Sequence, residues 1–125
     1  MNVNRGGTTV PIFDRASMLE RVDGDDALLS VIIGVFLDDA PNSLRAIEQA
    51  LASTDATRLR AAAHALKGAA ANISAEQLRE AAHDLEWIGE AGRNEAAMSG
   101  VQRLRDALTA LEPVLRRALE DSSEI

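Results

Sequence analysis

The sequence contains no cysteine and no tyrosine, and Phe13, Phe36 and Trp87 are its only aromatic residues. Without thiols there are no disulfides and no thiolate metal sites. No run of lysine and arginine offsets the formal net charge of −7, so a nucleic-acid backbone would be repelled, and no nucleic-acid partner is expected. No charged-then-apolar leader opens the chain, and no apolar run approaches the ~18–20 residues of a membrane span. The reading is therefore a cytoplasmic protein with no direct membrane insertion. A glycine-rich phosphate loop is also missing, which excludes the usual nucleotide cradle.

What remains is rich in Ala, Leu, Glu and Arg, a mixture that favours helix over sheet. Hydrophobic residues make up 46% and charged residues 26% of the 125 positions, which suits one packed domain rather than a disordered chain. Residues 1–12 carry no periodicity and are expected to form a flexible arm. Asp14 is placed to cap a short helix through Arg21, and Gly24 with Asp25 marks the next start. From there Leu29, Ile32, Ile33, Phe36 and Ala40 recur at three- and four-residue steps and continue through Leu44, Ile47 and Leu51, as one long helix or two collinear ones divided near Pro41. Asp55 caps a third helix to Asn72, with Leu59, Ala62, Ala63, Leu66, Ala70 and Ile73 inward. Ser74–Gln77 fits a capping box opening a fourth, with Leu78, Ala81, Ala82, Leu85 and Ile88 inward and Gly89 or Gly92 at its end. A last helix from Asn94 contains Met98, Val101, Leu104, Leu108, Leu111 and Leu115, has weak points at Gly100 and Pro113, and frays after Leu119. The expected architecture is all-α, an antiparallel four-helix bundle over 13–120 with an additional short N-terminal helix, and a frayed end at 121–125.

On a helical wheel the third helix sends His64 roughly 140° away from its apolar stripe, into water. A lone surface histidine is usually idle, but its neighbours are not ordinary. Gly68 stands one turn onward on the same face, mid-helix, where glycine costs about 1 kcal/mol relative to alanine. Ala61, Ala65 and Ala71 complete a low surface that another protein can approach closely. Lys67, three residues on, can reach an anionic group on the ring. A neutral imidazole is a nucleophile near pH 7, and an adjacent cation suits it to accept a phosphoryl group.

The run His64-Ala65-Leu66-Lys67-Gly68-Ala69-Ala70-Ala71-Asn72-Ile73, followed by Leu78 and Leu85-Glu86, resembles the signature of histidine-containing phosphotransfer domains. Phe36-Leu37-Asp38-Asp39-Ala40-Pro41 is similar to a segment of bacterial members. The resemblance implies that His64 is the phosphoacceptor through its outer ring nitrogen, that Lys67 supports the phosphoryl group and that Gly68 admits the partner's active-site loops. It implies a phosphorelay intermediate, taking phosphoryl from a receiver-domain aspartate and passing it to another, with receiver domains or a hybrid sensor kinase as partners. No inward acidic cluster reads as a magnesium site, so Mg²⁺ is expected from the receiver, no intrinsic cofactor is expected, and the chain is a monomeric phosphocarrier without autokinase activity. Leu28, Val31 and Val35 fall off the core stripe of the second helix and are candidates for receiver contact; packing under the first helix is the alternative, most of all for Leu28. Ser74 departs from the family, which usually has glycine there.

Three other readings are open to the sequence. Glu80-Ala81-Ala82-His83 matches half of a di-iron bundle motif, but it is a single match and His83 lies opposite Leu78 and Leu85. A kinase dimerisation domain would, by family resemblance, place an acid where Ala65 stands. The non-signalling alternative is a helical interaction or scaffolding domain in which His64 is incidental.

Overall fold

The computed structural model describes residues 10–91 and 94–123, all of its regular structure helical. Five helices follow in order: α1 (Arg15–Arg21), α2 (Asp26–Ala52), α3 (Ala56–Asn72), α4 (Glu76–Ala91) and α5 (Asn94–Ser123). α2 to α5 form the antiparallel bundle, and α1 lies over one end, with Met18 wholly buried as a plug. The expected stripes fill the core: Leu29, Ile33, Phe36 and Ile47 from α2, Leu59, Ala63, Leu66 and Ala70 from α3, Leu78, Ala82 and Leu85 from α4, and Val101, Leu104, Leu111 and Leu115 from α5. Ala62, Ile88 and Leu108 pack at its margin. Met98, on the same helix as Leu108, is exposed.

Three aspartates start three helices. Asp14 accepts from the Ser17 amide, Asp25 from Leu28 and Asp55 from Arg58, each at 3.0 Å, which satisfies amides that have no partner inside the helix. The preceding helix ends are equally alike. Asp23 (φ 55°), Thr54 (φ 50°) and Ser74 (φ 58°) each take the left-handed conformation just past a helix. The amide of the next residue then returns to the last turn, as Gly24 to Leu19, Asp55 to Ala50 and Ala75 to Ala70. This is the Schellman closure, which ordinarily uses glycine. Ser74 thus takes the left-handed position of this turn itself, and the closing bond from Ala75 to Ala70 forms. Thr54 is the most strained of the three, because a β-branched residue in this region crowds its own backbone by about 1–2 kcal/mol. Thr54→Gly should therefore stabilise the fold by about 0.5–1 kcal/mol after the extra freedom of glycine in the unfolded chain is subtracted, a rise of a few degrees in Tm by calorimetry. Ser74→Gly should gain less, since the Ser74 hydroxyl donates to Ser17 Oγ at 3.3 Å.

The structure corrects several expectations. Ser74 and Gln77 do not form a capping box: the Gln77 amide donates to the Pro11 carbonyl at 3.2 Å and its side chain to Val10 at 3.0 Å. Val10–Ile12, expected in the loose arm, instead strap the start of α4, and Ile12 packs on the core; residues 1–9 lie outside the described residues. Pro41 and Pro113 sit inside continuous helices. Gly89 lies within α4, Gly92 falls outside the described residues, and α5 stays helical past Leu119. Gly100 is not a weak point: a Cβ there would meet Leu85 Cδ1 at 3.0 Å and Ile88 Cδ1 at 3.3 Å, so its lack of a side chain lets α5 approach α4. By length and composition α2 does reach what a membrane span requires, because Ala27–Leu37 carries no charge; in the fold its apolar stripe is the core.

Candidate functional site

α3 has no acidic residue over 56–72 and carries Arg58, Arg60 and Lys67, so it is a cationic helix in an acidic protein. Its core stripe turns His64 outward, with a side chain 65% exposed. The imidazole is nevertheless held. Nδ1 lies 2.8 Å from Oε2 of Glu86, which reaches across from α4. An ionised carboxylate only accepts, so Nδ1 is the protonated nitrogen and Nε2 of the neutral ring presents its lone pair away from Glu86.

Glu86 also binds the second residue singled out in the sequence. Its other oxygen, Oε1, is 2.8 Å from Lys67 Nζ, close in charge but not aligned as a hydrogen bond. The carboxylate is only 13% exposed, whereas Lys67 is 25% exposed. Lys67 foremost, and then His64, hold Glu86 below its ordinary 4.5, against burial, which alone would raise it. Because the folded value is the lower one, the stability Glu86 contributes is present above 4.5 and is lost as pH falls through the depressed value.

Gly68 lies one turn beyond His64 on the exposed face, and a Cβ built there would meet nothing within 4 Å. No packing inside the chain demands glycine. Ala61 and Ala65 are exposed beside it, but Ala71 is half-buried and its carbonyl accepts from Arg21 Nη1 at 2.7 Å, so α1 trims the far end of the small-residue face. On the flank toward α2, Val35, Ala69 and Asn72 share a groove of about 240 Å³, which sets Val35 beside the end of α3. Val31 and Leu28 continue that line along α2, 60% and 44% exposed.

Sequence reasoning named His64, Lys67 and Gly68 but assigned no role to Glu86, which the structure makes the hub of the site. On the other side of the ring an open concavity of about 510 Å³ has Ala56, Thr57, Arg60, Ala61, His64 and Glu86 among its walls. His83 lies outside the site, its ring edge-on to Trp87 at 6.3 Å. Among the described residues no three acidic, histidine or cysteine side chains gather as metal ligands. The arrangement presents an oriented imidazole nucleophile, an ammonium within reach of what the ring carries, and a gap in the surface alongside.

The family model for the Hpt domain matches residues 31–121. Among solved structures the chain is similar to histidine-containing phosphotransfer protein B (HptB) from Pseudomonas aeruginosa PAO1. The TM-score is 0.82 at 21% identity, over 90% of this chain and 98% of that one, a likeness of fold. No curated protein matches.

Proposed function

The chain belongs to the Hpt domain family, whose members are phosphocarriers of two-component signalling rather than enzymes in the usual sense, and from that premise we propose that His64 is its phosphoacceptor. The contact between His64 Nδ1 and Glu86 carries the reading, since it leaves Nε2 as the free nucleophile on an exposed ring.

In the transfer the Nε2 lone pair forms the new N–P bond while the P–O bond to the partner's aspartate breaks, its electron pair leaving on the carboxylate. Nδ1 keeps its proton, so the ring becomes positive, and Glu86 offsets that charge. Return of the group to a second aspartate reverses these steps. Lys67 supports the phosphoryl oxygens from its place beside the ring, and Gly68 leaves room for the partner's loops. Leu28, Val31 and Val35, with Ala61, Ala65 and the uncovered part of Ala71, form the docking face. Mg²⁺ belongs to the receiver in this scheme: Glu86, the carboxylate that meets the ring, is already engaged by Lys67 and His64. We propose further that residues 13–120 act as a cytoplasmic, monomeric relay without autokinase activity, served by receiver domains or a hybrid kinase.

Incubation of the chain with a phosphorylated receiver and Mg²⁺, followed by mapping of the label, tests this. An acid-labile, base-stable label on the peptide containing His64 is expected. Transfer of no label would leave a scaffolding domain. Glu86→Gln should slow transfer about tenfold, because an amide can donate to Nδ1 and no longer enforces the reactive tautomer. The same variant separates the ionic contribution to stability: its Tm should lie below that of the wild type at pH 7, and the gap should close as pH drops below 4.5.

A further inference from the structure

Phosphorylation changes the charge at this site in a way the resting ion pairs do not balance. Before transfer a neutral imidazole, ionised Glu86 and Lys67 sum to zero. Afterwards the ring is positive and the phosphoryl group carries about two negative charges near neutral pH, so the same groups sum to about one negative. Lys67 alone does not balance it, because the same ammonium lies 2.8 Å from Glu86 Oε1 and would serve two anions. The next cation is set by the concavity beside the imidazole. Arg60, exposed, shares its walls with His64 and Glu86. It stands four residues before His64, one turn away on the same side of α3, while Lys67 stands three residues after, so the two cations bracket the ring along the helix.

We propose that Arg60 is a second phosphoryl-binding cation, whose guanidinium turns into this concavity and donates to the oxygens of a phosphoryl group on His64 Nε2. The inference rests on the reading of His64 as the acceptor. Arg60 is engaged within the chain at rest, so its response is an exchange of partners, drawn by a dianion that a planar guanidinium meets with two parallel donors. No proton moves on Arg60, and the bonds made and broken are those of the transfer itself. The same cation also favours approach of an anionic donor, so its loss acts on encounter as well as on the product.

The test uses the full chain phosphorylated by phosphoramidate, which needs no partner protein, and follows the phosphorus resonance against pH in the wild type, Arg60→Gln and Arg60→Lys. Loss of the positive charge should raise the titration midpoint of the phosphorylated site by about half a pH unit, the size expected for one cation about 5 Å away in a solvated site. Arg60→Lys should restore most of that shift. Transfer from a phosphorylated receiver should fall about fivefold in kcat/KM for Arg60→Gln, with a shallower dependence on salt. Identical midpoints and identical transfer in wild type and Arg60→Gln would overturn the proposal while His64 still takes label. If phosphoramidate leaves His64 unlabelled in the wild type and a receiver does too, the acceptor assignment itself fails.

Discussion

His64→Gln is expected to abolish phosphoryl acceptance, with no acid-labile label from a phosphorylated receiver under conditions that label the wild type fully. Glutamine can occupy the same space and donate to Glu86, but it has no lone pair on nitrogen able to attack phosphorus. The fold should barely notice. The native side chain is 65% exposed and its polar contact is Glu86, whose other oxygen lies 2.8 Å from Lys67 and does not depend on the ring. A loss of at most about 1 kcal/mol is expected for an exposed pair of this kind, so unaltered circular dichroism and a Tm within a few degrees of wild type should accompany complete loss of label. Label surviving on the variant would move the site to another histidine, and His83 is the alternative. His83 lacks the constellation: its ring contact is Trp87, which also takes the place one turn onward where His64 has glycine, and among the described residues no carboxylate meets its ring.

The contrast between the two histidines shows how far residue pattern alone reaches. The outward direction of His64 follows from helical period, since Leu59, Ala63, Leu66 and Ala70 fix which way α3 faces. Asp14, Asp25 and Asp55 likewise announce helix starts, because a cap acts over three residues and is local in sequence. Glu86 is different. It lies 22 positions from His64, and the register that brings α4's carboxylate to α3's imidazole is set by tertiary packing, including the close approach of α4 and α5 that Gly100 permits. The pattern at Ser74–Gln77 misleads for a related reason. A serine followed three residues later by glutamine satisfies the local capping rule, yet the same serine is the left-handed residue that closes α3, and the Val10–Pro11 strap supplies the acceptors at α4. Two local signals compete there, and a contact distant in sequence decides between them. Ala71 repeats the lesson on the functional face: the wheel places it outward with Ala65 and Gly68, and only the fold brings Arg21 over its carbonyl.

Gly68 is where stability and transfer should move in opposite directions. Its built Cβ has open space for 4 Å around it, so Gly68→Ala adds no clash and removes the backbone-entropy penalty of a glycine in mid-helix, a gain of about 1 kcal/mol. Gly68→Gln should keep about half of that gain, since glutamine is also a good helix former. If folding alone governed the position, glycine would be the inferior residue. The partner accounts for that cost: the receiver's loops must come close enough for an in-line approach to Nε2, and a side chain one turn away on the same face stands in that path. Displacement of the reacting atoms by about 1 Å is enough to cost on the order of a hundredfold in rate. Transfer from a phosphorylated receiver should accordingly fall several-fold for Gly68→Ala and about a hundredfold for Gly68→Gln, while both variants melt above the wild type. Labelling by phosphoramidate, which is small enough to reach Nε2 regardless, should be nearly unchanged in both. A Gly68→Gln chain that exchanges phosphoryl groups with its receiver at the wild-type rate would show that the partner does not approach over this face, and the docking line from Gly68 to Val35 and Val31 would fall with it.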